Sequence, residues 1–232
     1  MKYFNIQGIN KAISLIREGD NTQEHITSRA TNAMINHYFL QRDDLYTTPE
    51  QIQEVSKKRP DYTIEHFSNI HPFFKPHVFV EVKSLVNSNI GGILDQVYDS
   101  IIYTVDLHGG SFSCFVIAMK GTKIAFYTYH NFSSLLDEYG IPHYRGFIPL
   151  NYILPFNLYA RINRNGTPQM YQDYVNSRST FMTDSNILEQ SGALKTGGLE
   201  HSHILDLVNN LHKEDIHSMF SHVVQHSSDL FL

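Results

Sequence analysis

The chain carries a single cysteine, Cys114, in 232 residues. An intramolecular disulfide is therefore excluded, and so is a zinc site built on several cysteines. Cys114 lies in the apolar run SFSCFVIAM and reads as core filler rather than a nucleophile. Long apolar stretches are also missing: none approaches the roughly 18 consecutive residues of a membrane span. The first residues, MKYFNIQGINKAISLIREGD, lack the unbroken apolar block of a secretory signal. These absences lead us to expect a cytoplasmic protein without membrane contact. Basic residues are scarce too: 18 Lys and Arg stand against 23 Asp and Glu, a net charge of −5. That balance argues against uniform coating of nucleic acid and leaves room for a local basic groove. No internal repeat is present.

The chain does have an apolar share of 41%, enough to bury a sizeable core. Apolar residues at three- and four-residue steps predict helices over 9–17, 22–41 and 93–105. Thr48-Pro49-Glu50 has the form of a further helix start, running to Lys57, with proline at the first helical position. Alternation predicts strands over 59–65 and 77–84, with a loop over 68–75 between them. Gly91-Gly92 read as punctuation ahead of the third helix, and Gly109-Gly110 as its end. Residues 111–119 and 122–129 form a hairpin about Lys120-Gly121. The resulting order is α, β, β, α, β, β. We therefore expect an α/β core over residues 1–150. An extension over 151–232, loop-rich from 163 to 202 and then helical over 203–211 and 213–225, packs on it.

The stretch RPDYTIEHFSNIHPFFKPHVFVEVKS poses the chemical question. Alternation along VFVEVKS puts Phe79, Glu81 and Lys83 on one face of a strand and Val80, Val82 and Ser84 on the other. Glu81 and Lys83 thus point the same way, about 7 Å apart along the chain. Asp61 opens the neighbouring strand and comes beside Glu81 if the two pair antiparallel. Two buried carboxylates at close range repel, and each resists losing water. A divalent cation relieves both costs, and such oxygen donors suit Mg²⁺ or Mn²⁺. Lys83 is placed to reach a phosphate or a water. The alternative is an exposed Glu81–Lys83 pair on a wet strand face, with Asp61 merely starting a turn.

Pro60-Asp61 followed by Glu81-Val82-Lys83, with Gln96 on the next helix in ILDQVYDSIIY, resembles the PD-(D/E)XK nuclease superfamily. The resemblance covers residues 20–129 and implies a restriction-endonuclease-like core, a central mixed sheet flanked by helices. It further implies metal-dependent phosphodiester hydrolysis of nucleic acid, with DNA ranked ahead of RNA. Asp61 and Glu81 would hold Mg²⁺ or Mn²⁺ with the Val82 carbonyl, Lys83 would assist the attacking water, and Gln96 would position water or phosphate. Glu24 is the corresponding first-helix acid, or else a charge complementing that helix's dipole. His37 is a further ligand candidate or a satisfied half-buried histidine. Tyr103, seven residues after Gln96, lines the groove or belongs to the core.

Lys58, Arg59 and Lys75, with Lys57, are the candidate phosphate contacts; the Lys57–Arg59 run reads equally as a solvated one. Among 14 histidines, His222 and His226 lie four apart, with His201 and His203 upstream. A zinc site there competes with a plain polar helix face opposite Ile216, Met219, Phe220 and Val223, which pack on the core or on a partner. Two other functions fit the same residues. One is a nuclease-like fold that binds without cleaving. The other is a toxin or effector nuclease held by an inhibitor protein, or a homodimer, through its C-terminal helices.

Overall fold

The computed structural model describes residues 1–18, 24–39, 44–49, 60–67, 69, 74–84, 90–108, 113–141, 143–163, 166–179 and 204–226. Two helices open the chain, α1 (Gln7–Glu18) and α2 (Glu24–Tyr38). The strands β1 (Leu45–Pro49), β2 (Tyr62–Phe67) and β3 (Phe74–Lys83) follow. Helix α3 (Ile90–His108) leads to β4 (Ser113–Lys120) and β5 (Lys123–His130). Then come α4 (Ser133–Glu138), β6 (Phe147–Pro149), α5 (Phe156–Ile162) and α6 (Pro168–Ser179). The short β7 (Leu205–Asp206) and α7 (Lys213–Gln225) close the described part.

The strands form one open mixed sheet in the order β1-β2-β3-β4-β5-β6, with β7 also on β5. Among the described residues only β3 and β4 pair in parallel, joined through α3; the other pairings there are antiparallel. This makes the chain an α/β protein with helices on both faces of the sheet. On one face Val78, Val80, Val82, Ile117 and Phe126 pack with Ile9, Ile13 and Ile16 of α1, Ala30, Met34 and Ile35 of α2, and Ile216, Met219, Phe220 and Val223 of α7. On the other, Phe79, Val116, Ala118, Ala125 and Tyr127 meet Ile93, Leu94, Val97 and Ile101 of α3. Cys114 is buried in this second layer. A third cluster joins Leu136, Leu158, Tyr159 and Tyr174 of α4, α5 and α6. No helix among the described residues is long and apolar enough to cross a membrane.

Several expectations are corrected. Thr48 and Pro49 belong to strand β1, paired with Thr63 and Tyr62, and do not start a helix. The sheet edge tolerates proline, and Leu45 is buried there. Residues 50–57 of that expected helix lie outside the described residues. Strand β3 begins at Phe74, inside the stretch expected as loop. Gly91 and Gly92 fall within α3. Glycine costs a helix about 1 kcal/mol, and the burial of Ile93, Leu94, Val97 and Ile101 offsets it.

The polar stretch after Asn163 contains helix α6. Pro168 fits its first turn, the Met170 amide donates to Thr167 Oγ1 at 3.3 Å, and Tyr174 and Arg178 are buried. The helix expected over 203–211 is instead β7 and a 3₁₀ turn over Asn210–His212, with Asn209 accepting from the Leu211 amide. Asn209 and Asn210 favour turns because their side chains compete for backbone hydrogen bonds. His203 lies outside the described residues.

Candidate active site

Strand β3 alternates between the two cores, with Val80 and Val82 in one and Phe79 in the other. Glu81 and Lys83 therefore leave the strand on the α3 side, at its C-terminal end. The paired register ends at Tyr62↔Val80, one residue short of Asp61 and Glu81, and the Asp61 charge acts directly on the Glu81 carboxyl. Asp61 occupies the bend before β2, and its Oδ2 accepts the Val82 amide hydrogen at 2.6 Å. The two carboxylates are thus neighbours across the end of the ladder. From the far side, the N-terminal turn of α2 delivers Glu24. The Tyr62 hydroxyl donates to the Ser28 carbonyl at 3.4 Å, and Thr31 Oγ1 lies 3.0 Å from Met119 Sδ. These contacts hold α2 against the ends of β2 and β4.

Three carboxylates, those of Glu81, Asp61 and Glu24, surround the Lys83 ammonium. Lys83 Nζ lies 2.7 Å from Glu81 Oε1 and 3.9 Å from Glu24 Oε1. Glu81 is 3% exposed. Burial, reinforced by the charge of Asp61, pushes its carboxyl up to about 7, against the opposing pull of Lys83 and of a hydrogen bond from the Asp61 backbone. Burial by itself would lower the pKa of Lys83, but Glu81, Asp61 and Glu24 outweigh it and raise that pKa above the ordinary lysine value. Lys83 is therefore a cation at neutral pH.

Glu81 Oε2 is buried and has no hydrogen-bond partner. A bare, desolvated carboxylate oxygen beside a second carboxylate is costly unless a cation shares it. Mg²⁺ commonly takes only one or two protein carboxylates and fills its shell with water and substrate oxygens. Asp61 and Glu81 fit that donor set. No group of three or more His, Cys, Asp or Glu side chains able to hold a metal exists among the described residues. Glu24, 44% exposed at its side chain, completes the ring around Lys83.

The other sequence candidates fall in different places. Gln96 is exposed on α3. Tyr98 contacts Tyr129 and Phe147, so that flank of α3 faces β5 and β6. Gln96, two positions earlier, lies on the opposite flank, toward β2. Tyr103 shares the Gln96 flank two turns on and is half-buried. The Gln96 side chain makes no hydrogen bond to the carboxylates.

Lys75 is exposed near the other end of β3, six residues or about 20 Å from Glu81. It therefore does not flank the cluster. Lys57, Lys58 and Arg59 lie outside the described residues. His37 stands at the C-terminal end of α2, 13 residues or about 20 Å along the helix from Glu24. Its Nε2 lies 2.8 Å from the Met1 carbonyl. It is a satisfied histidine remote from the acids.

His222 and His226 stack with ring centroids 4.1 Å apart. Their Nδ1 atoms lie 3.3 Å from the Ser177 carbonyl and 2.9 Å from the His222 carbonyl, respectively. His201 and His203 lie outside the described residues. A cavity of about 350 Å³ beside α7, lined by Ser177, His217, Ser221, His222 and His226, contains no carboxylate. The apolar positions of α7 are buried in the first core, which leaves them unavailable to a partner.

One ionisable group escaped the sequence. Arg178 of α6, 3% exposed, donates to the Leu150 carbonyl at 2.6 Å and sits over the Tyr174 ring. Burial and the Arg178 charge push both His130 and His222 down to about 3. Spread from position 130 to 222, these residues leave no local pattern to find. No protein-family model, curated protein or solved structure matches the chain.

Proposed function

We propose that the chain is a metal-dependent nuclease of the PD-(D/E)XK type. Its restriction-endonuclease-like core would be α2, β2, β3, α3 and β4, and its reaction the hydrolysis of phosphodiester bonds in DNA, or else RNA. The observation that carries this reading is the buried Glu81 Oε2, which has no hydrogen-bond partner, next to Asp61 and on the carboxylate that pairs with a charged Lys83. Asp61 and Glu81, with the Val82 carbonyl, hold Mg²⁺ or Mn²⁺. Such an ion, when bound, acidifies water and neutralises charge on the phosphate.

Lys83 arrives protonated, so its role is that of a donor. It orients the attacking water and stabilises the added negative charge as the water oxygen bonds to phosphorus and the bond to the leaving sugar oxygen breaks. Removing its charge costs transition-state stabilisation rather than a base. Glu24 holds the ammonium from the other side. Gln96, on the flank of α3 nearest β2, contacts water or phosphate.

A second reading, a fold of this type that binds without cleaving, draws on the same ion pair. Lys83 sits directly on Glu81, and the described residues contain no three-residue ligand group. Incubation with single- and double-stranded DNA and RNA, in Mn²⁺ or in chelator, separates the two. The nuclease reading expects Mn²⁺-dependent cleavage of at least one substrate by the parent and none by Asp61→Ala. Intact substrates throughout would leave the binding module.

A further inference from the structure

Resting on that reading, we infer that Arg145 is a nucleic-acid-binding residue, whose guanidinium takes a backbone phosphate of the substrate. The inference starts from a cost in the backbone. Tyr144 and Phe147 exchange two hydrogen bonds: the Tyr144 amide donates to the Phe147 carbonyl at 3.0 Å, and the Phe147 amide to the Tyr144 carbonyl at 2.8 Å. The two residues between them both have positive φ, +51° at Arg145 and +89° at Gly146. That is the pattern of a type I′ turn, whose first central place favours Asn, Asp or Gly. Among the described residues, Arg145 is the one residue other than glycine with positive φ. The turn alone does not call for arginine, whose Cβ crowds the following carbonyl in the left-handed region.

The side chain reaches across to α3. The guanidinium carbon lies 5.0 Å from the centre of the Tyr98 ring and 5.8 Å from that of Tyr144, within the range of a cation–π contact. Arg145 Nε lies 3.5 Å from Asp95 Oδ1, which also accepts the Tyr144 hydroxyl hydrogen at 2.6 Å. Two rings and a carboxylate thus hold a long side chain in one orientation. Asp95 is met through Nε, which leaves the terminal N–H groups over for a ligand, and the side chain is 48% exposed. A guanidinium held along its inner edge and open along its outer one suits two parallel hydrogen bonds to one phosphate. Because the side chain is already ordered, binding costs it little further freedom.

Its place in the fold agrees with this role. Through Asp95 and Tyr98, Arg145 stands on the α3 side of the sheet, the side on which Glu81 and Lys83 leave β3. Asp95 is five residues into α3, about 8 Å along the helix axis, in the half that follows Lys83 in the chain. A nucleic-acid strand that leaves the carboxylates over this half of α3 reaches Arg145. Lys75, by contrast, lies toward the other end of β3.

The test gives the turn a residue it prefers. Arg145→Asn suits the left-handed backbone and removes the guanidinium. Binding of labelled duplex DNA, single-stranded DNA and RNA is followed by fluorescence anisotropy on the whole chain, in chelator so that no cleavage intervenes. It is expected to weaken on the order of 10-fold, the scale of losing a hydrogen-bonded charge. The slope of log affinity against log salt is expected to shrink by about 0.9 on a duplex or about 0.7 on a single strand, the share of one phosphate contact. A second measurement covers the case in which the variant fails to fold. In the ¹⁵N-labelled parent, the Arg145 Nε–H resonance is expected to move when the nucleic acid binds. Unchanged affinity and salt slope in Arg145→Asn, or an Arg145 resonance indifferent to bound nucleic acid, would overturn the inference; the side chain would then only fasten the turn to α3. A parent that binds none of the probes would overturn it too. Mn²⁺-dependent cleavage by the parent, assayed on the same preparation, decides the nuclease reading separately.

Discussion

At the end of β3 a buried carboxylate has an ammonium 2.7 Å away, and both stay ionisable. Among β5, α6 and α7 a buried guanidinium has two histidines for company, and these respond by staying neutral, pushed down to about 3. Burial penalises charge in both places, but the answers differ. The first cluster collects opposite charges around Lys83 and leaves one acidic oxygen, Glu81 Oε2, without a hydrogen bond. The second surrounds Arg178 with an aromatic face and a backbone carbonyl, which suits one fixed cation in a packed core. Both places keep a cost of burial, which holds Glu81 above the usual carboxylate range and Arg178 below the usual arginine range; they differ in that only the first gathers opposite charge around its cation.

Changes in one cluster should therefore strike activity, and changes in the other stability. The largest effect is expected from Lys83→Ala. Cleavage should fall by at least about 100-fold, the scale of losing one preorganised donor to a developing anion, with a melting temperature close to the parent's. A cleavage rate at the parent level would remove Lys83 from the chemistry.

Gly146→Ala should behave in the opposite way. Gly146 has φ +89°, and a Cβ there would stand 2.3 Å from the His130 carbonyl oxygen. A loss of about 2–3 kcal/mol in denaturant unfolding is expected, with metal affinity unchanged. Arg178→Met should cost about 1–3 kcal/mol, because the Leu150 carbonyl loses its donor. It should also raise the titration midpoint of His222, followed by NMR, since the Arg178 charge helps to depress it.

The smallest expected effect is a slope. His130 and His222 titrate near 6.5 when unfolded and at about 3 when folded. Between those values the unfolded chain binds more protons, so stability falls as pH drops from 6.5 toward 3. Each histidine contributes at most about 1.4 kcal/mol per pH unit. His222→Gln should reduce the slope of stability against pH by one proton's worth. An unaltered slope would show that His222 is not neutral through folding.

The contrast extends to what the sequence reveals. Asp61, Glu81 and Lys83 are legible because strand alternation and one antiparallel pairing fix their side. The flank of α3 carrying Gln96 follows in the same way from helical periodicity. Lys75 is close to Glu81 in the chain, six residues, but about 20 Å away along an extended strand. Helix α6 was hidden because its buried face is made of Tyr174 and Arg178, which count as polar in any hydropathy pattern. The edge strand β1 was hidden because Thr-Pro-Glu carries a helix-start signal that pairing with β2 overrides. The Arg178 cluster joins three distant segments, and only the packed fold brings them together.

The proposed nuclease depends on Asp61 and Glu81 sharing a divalent cation. Calorimetric titration of Mn²⁺ into the parent and into Asp61→Ala tests it most directly. A cation shared by these two carboxylates should bind saturably at one site in the parent and be lost in Asp61→Ala, with both proteins folded. Binding of equal strength in the two proteins, or none in the parent, would contradict it.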